Sequence, residues 1–207
     1  MRLRPAHAAL AALALFGCSE PVRPPPEPAI TVRLSTSDPD ANAPAVAAFF
    51  RRTCLDASGD PGAFELAVQG SGWDVEKIRA ADAANPVNSW RIGEGRVYYS
   101  RVEVGRGVRV VDCHVELDGR VAPSVERMRA ALRPLVGASA REARGGPQDV
   151  SWRWRSNPDE ERALTVGLPA AGSRTGAAAA GRSGVAIHFA TTLADAQPIP
   201  AGTENVE

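Results

Sequence analysis

At Asp112-Cys113-His114-Val115-Glu116 two carboxylates and an imidazole alternate with smaller, less polar side chains. On a strand, side chains two apart share a face. Asp112, His114 and Glu116 therefore project together, while Val111, Cys113, Val115 and Leu117 project to the other side. Such a set suits zinc or manganese, with Asp112, His114 and Glu116 as metal ligands. The competing account is the solvated face of a half-buried strand, which is polar with no chemistry attached. Beyond residue 18 the only other histidine is His188, in "VAIHFATTL". It shares a strand face with Ala186, Ala190 and Thr192, and it joins the first set as ligand or general base only where its strand lies beside theirs.

A second candidate is "SWRWR". Trp152 and Trp154 fall on one strand face, Arg153 and Arg155 on the other. Exposed, the indoles would form a platform for sugar rings or a partner protein, and the arginines would meet anionic glycan or lipid headgroups. In a chain with only 5% aromatics, tryptophans are the natural filling of a core. In "RVYYSRVEV", Tyr98 and Tyr99 alternate faces, which puts one of them near the surface. No serine stands in a G-x-S-x-G or S-x-x-K context, and neither H-E-x-x-H, a glycine-rich phosphate loop nor CxxC occurs. The motifs thus name no catalytic residue and no cofactor, and they leave enzymatic activity open with the balance against it.

The elements that would hold these residues belong to a 207-residue chain, 44% hydrophobic and 23% charged, which suits one globular domain. Its 24 basic and 24 acidic residues cancel, so no field invites nucleic acid.

Arg2 and Arg4 precede the apolar run Ala8 to Phe16, nine residues against the ~20 needed to span a bilayer. This is the h-region of a secretory signal. The following "LFGC" resembles the bacterial lipoprotein lipobox, with Leu15 three before the cysteine and Gly17 directly before it. Phe16 departs from the small or β-branched residue usual in its slot. The resemblance implies lipidation, palmitate included, at Cys18, and Ser19 after it implies delivery to the outer membrane, periplasmic face. An ordinary cleaved signal is the alternative. Loss of the leader with its two arginines leaves 22 basic against 24 acidic residues.

With Cys18 anchored, Cys54 and Cys113 remain, and an oxidising periplasm would pair them in a disulfide. Two buried free thiols are the other option. "PVRPPPEP" is stiff and extended, and at ~3.1 Å per residue it would hold a domain roughly 30 Å from the membrane.

Residues 1–17 are thus expected as leader, 18–29 as lipid-anchored spacer, 30–193 as a single domain and 194–207 as a disordered tail. "ITVRL" reads as a strand. "DANAPAVAAFFRRTC" reads as a helix with Val46, Phe50 and Cys54 on its buried face. "DPGAFELAVQG" and "DVEKIRAADAANP" read as two more helices. Strands are expected at Ser89 to Ile92, Arg96 to Val104 and Val108 to Leu117, the last two joined by a hairpin at Gly105-Arg106-Gly107. "APSVERMRAALRPLVG" is an amphipathic helix ended near Pro134, and "ASAREARGGPQ" a linker. "DVSWRWR", "RALTVGL" and "GVAIHFATTL" are strands, the first two joined by a turn at "SNPDE" and the last two by a mobile loop, "PAAGSRTGAAAAGRS". No internal repeat is visible. The fold class that follows is α+β, an antiparallel sheet packed on helices with one disulfide.

The lipobox leader, Phe50 and Cys54 on an early helix, Gly72-Trp73, and Cys113 on a strand together resemble a group of uncharacterised proteobacterial secreted or lipid-anchored proteins. The resemblance spans roughly residues 44 to 117 and implies no catalytic residues. The expected function is that of an outer-membrane lipoprotein whose periplasmic domain binds another envelope component, protein or glycan, without catalysis. Two alternatives stand beside it: a metal- or histidine-dependent periplasmic enzyme built on the Asp112/His114/Glu116 face, and a tethered inhibitor of a foreign lysozyme or protease.

Overall fold

A computed structural model describes residues 32–57, 59–82, 86–103, 108–146, 149–169 and 184–194. The leader, Cys18, the spacer, the residue 105–107 hairpin turn, the loop at 170–183 and the tail from 195 lie outside the described residues.

Among the described residues, three α-helices and eight strands make an α+β fold. α1 (Ala43–Phe50) follows a short 3-10 turn, Pro39–Asn42, and runs on into a wider π-type turn, Arg51–Leu55, that carries Cys54. α2 is Pro61–Gln69. Its start is dictated locally: Asp60 accepts hydrogen bonds from the Gly62 and Ala63 amides, and Pro61 occupies the first helical position, where no amide hydrogen is needed. α3 (Val125–Leu132) is capped by Ser124 and tightens into a 3-10 turn through Pro134.

The strands are β1 (Val75–Arg79), β2 (Val87–Ile92), β3 (Gly95–Glu103), β4 (Val108–Leu117), β5 (Arg141–Gly146), β6 (Asp149–Asn157), β7 (Glu160–Gly167) and β8 (Val185–Ala194). All neighbours are antiparallel, in the order β1-β2-β3-β4-β8-β7-β6-β5. Each half of the chain thus supplies helical structure and then a four-stranded meander, and the two meanders join where β4 pairs with β8.

Alternation decides which side is buried. Val97 and Tyr99, Val111, Cys113, Val115 and Leu117, Ile187 and Phe189, Leu164 and Val166 all face the helices and are at most 1% exposed. Phe50, Phe64, Met128 and Leu132 meet them from the helical layer. Phe64 stacks on Tyr99 with ring centroids 4.4 Å apart, and Phe50 sets its edge toward Phe189. Cys54 and Cys113 form a disulfide inside this core, with their Cα atoms 5.6 Å apart. Two polar devices close the far end. Glu142 accepts from the Trp152 indole N–H and from Arg129, joining β5 and β6 to α3. Buried Glu160 accepts from Ser156, Asn157, Arg162 and Thr191.

Three expectations are corrected. Residues 75–79 form β1 rather than part of a helix, and residues 141–146 form β5 rather than a linker. Val32–Leu34 form no strand; Val32 is held instead by its amide donating to the Gly72 carbonyl at 2.6 Å.

Candidate functional site

The face of the sheet away from the helices carries the residues singled out at 112–116. Register, more than any local motif, arranges them. Tyr98, His114, His188 and Thr165 form one row across β3, β4, β8 and β7. Ser100, Asp112, Ala190 and Ala163 form the next, and Arg96, Glu116, Ala186 and Gly167 a third. His188, 74 residues beyond His114 in sequence, is its direct cross-strand partner. The two rings meet edge to face with centroids 5.8 Å apart, and Tyr98 lies 5.8 Å from His114 on the other side.

Two acid–imidazole pairs result. His188 Nε2 is 2.5 Å from Asp112 Oδ1. His114 Nε2 is 3.6 Å from Glu116 Oε1, just beyond hydrogen-bond reach, and has no hydrogen-bond partner among the described residues. The environments pull the imidazoles apart. Burial holds His114 below the usual imidazole range, with neighbouring His188 adding to the effect and Glu116 and Asp112 opposing it. The hydrogen bond to Asp112 lifts His188 above that range, against its own burial. Near neutrality one ring is therefore held neutral beside another disposed to carry charge.

Beside the pairs the surface sinks into a cleft of 290 Å³ lined by Val87, Tyr98, Ser100, Asp112, His114 and Glu116. Glu116 is nearly buried, its side chain 5% exposed, although it points away from the core. Of the cleft residues, Val87 and Ser100 escaped notice in the sequence. Their signal was strand register: the β3–β4 pairing places Ser100 opposite Asp112, and the β2–β3 pairing places Val87 opposite Ser100.

Among the described residues, no group of three or more His, Cys, Asp or Glu is placed to hold a metal ion. Asp112, His114, Glu116 and His188 do share one face, but His188 Nε2 is already engaged by Asp112. Of the two readings of Trp152 and Trp154, the structure has the core filling and not the exposed platform: both face the helices, 0% and 8% exposed, while Arg153 and Arg155 reach solvent. An aromatic-poor chain uses its indoles as filling. Among the described residues, no helix is long and apolar enough to cross a membrane. No family model, curated protein or solved structure matches the chain.

Proposed function

We propose that this chain is an outer-membrane lipoprotein, anchored through Cys18, whose domain binds another envelope component, protein or glycan, without catalysis. The observation that carries this reading is the outer-face cleft, lined by an aromatic ring, a hydroxyl, two carboxylates and the His114 imidazole, with His188 hydrogen-bonded to Asp112 beside it. The Cys54–Cys113 bridge supports the compartment, because buried disulfides persist where thiols are not kept reduced. The leader and the proline-rich spacer supply the tether.

The test is site-specific photo-cross-linking in living cells. A reactive group replaces Ser100 in the cleft or, as a control, Leu66 on α2, which is 71% exposed. Detergent extraction and intact-mass analysis follow. A reproducible envelope adduct from position 100 alone, on a chain triacylated at Cys18, is the expected result. Identical adducts from both positions, or an unlipidated chain, would refute it, and a captured lysozyme or protease would replace it with the inhibitor role.

One observation favours a second reading. Two imidazoles pushed in opposite directions are the arrangement of an acid–base couple. Turnover of any substrate that falls in both His114→Gln and His188→Gln, with the fold intact, would establish an enzyme in place of a binding module.

A further inference from the structure

We infer that the cleft receives a neutral, hydroxyl-rich ring, a single saccharide unit, seated among Val87, Tyr98, Ser100, Asp112, His114 and Glu116. This deepens the binding-module reading and rests on it.

Charge points to a neutral ligand. Asp112 is hydrogen-bonded to His188, and Arg96 stands opposite Glu116 in the β3–β4 register. An ionic ligand would have to compete with charges that already face an opposite or polarised neighbour, whereas a neutral polar one leaves both pairs in place. Hydrogen-bond capacity points to hydroxyls. Carboxylates only accept, the Ser100 hydroxyl both donates and accepts, and an imidazole with one protonated nitrogen has one donor and one acceptor. A sugar hydroxyl, itself donor and acceptor, matches that mixture. His114 Nε2 is shielded from water and lacks a hydrogen-bond partner, with Glu116 Oε1 the neighbouring acceptor at 3.6 Å. A turn of the imidazole toward the cleft would let a ligand hydroxyl satisfy it.

Size and walls agree. At 290 Å³ the cleft sits at the lower end of ligand sites, which start near ~300 Å³, so it has room for one ring and no extended chain. Val87 and the half-buried Tyr98 ring supply an apolar side against which the C–H face of a sugar can lie, while Asp112, His114 and Glu116 stand on β4 beside it and Ser100 follows Tyr98 on β3.

The experiment uses the full-length lipidated protein in detergent, with its histidines labelled for NMR, titrated separately with glucose, N-acetylglucosamine, choline and inorganic phosphate. The neutral sugars are expected to shift the His114 and His188 resonances saturably. Tyr98→Ala and Ser100→Ala should each weaken the sugar by about tenfold, the scale of one lost contact of ~1.4 kcal/mol, and Ser100→Ala, which removes only a hydroxyl, should leave the thermal midpoint unchanged. No response to either sugar, a response to choline or phosphate alone, or undiminished sugar binding in both variants would overturn the inference. If cross-linking from position 100 still captures an envelope protein while neither sugar registers, the saccharide falls and the binding module stands. If neither experiment registers anything, both fall.

Discussion

Replacing Cys54 and Cys113 together by alanine removes a link between residues 59 apart in sequence, joining the turn after α1 to a strand in the middle of the sheet. On the chain-entropy account, closing a loop of about that length is worth roughly 4 kcal/mol, because the link restricts the unfolded chain. Against the ~5–15 kcal/mol typical of whole domains, that leaves a folded but weakened protein. The assay is equilibrium unfolding in urea, run on the oxidised protein, the reduced protein and the double variant. The midpoint should fall in both altered forms, and the thermal midpoint should drop by about 8–16 °C for a domain of this size. The denaturant slope should rise as well, since an unlinked unfolded chain exposes more surface. A loss below ~1 kcal/mol would refute the reasoning. A full loss with an unchanged slope would move the effect into native packing around the buried sulfurs.

Two further outcomes concern the sheet faces. His188, raised by Asp112, contributes stability that is full below the ordinary imidazole range and is lost as pH rises through its folded value. His114, lowered by burial among Tyr98, His188, Asp112 and Glu116, works in the opposite sense, costing stability as pH falls from the ordinary imidazole range toward its own folded value. Asp112→Asn removes the first effect and deepens the second, because it takes away one of the charges that oppose burial at His114. Its urea midpoint should therefore fall further below wild type at pH 5 than at pH 8, and an equal deficit at both would contradict the pairing. On β6, Trp152→Ala should cost about 3–5 kcal/mol as a fully buried indole, whereas Arg153→Ala on the other face should stay within ~0.5 kcal/mol. Similar losses in thermal unfolding for the two variants would reverse the face assignment.

How far the fold could be read from the sequence depended on where each strand sits. β4 was legible because from Val111 to Leu117 its apolar residues alternate strictly, and the same alternation, set against the helical spacing of Val46, Phe50 and Cys54, aimed both cysteines inward. The two missed strands, β1 and β5, are the two edges of the sheet. An edge strand has little to bury and carries charge against unwanted pairing: "VEKIR" is almost wholly exposed and "REARGG" opens on two charged residues. Such stretches look like helix or linker until a neighbour's hydrogen bonds claim them. The candidate site was half legible. Asp112, His114 and Glu116 follow from one strand's periodicity. The meeting of His114 with His188 does not, because it depends on β8 returning past three later strands to lie beside β4.

That return has a consequence for how the chain can be made and cut. The first meander, α1, α2 and both cysteines all precede Leu117, so they are synthesised before the strand that closes the sheet beside them. Until β8 arrives, β4 is a ten-residue free edge with its amides and carbonyls unclaimed and its apolar face half covered, the kind of template that recruits foreign strands. The last described strand is therefore also the seal. A stop codon anywhere between Leu117 and Val185 would leave β4 as an adhesive margin with no partner for His114, so completeness of the chain and competence of the cleft are one condition.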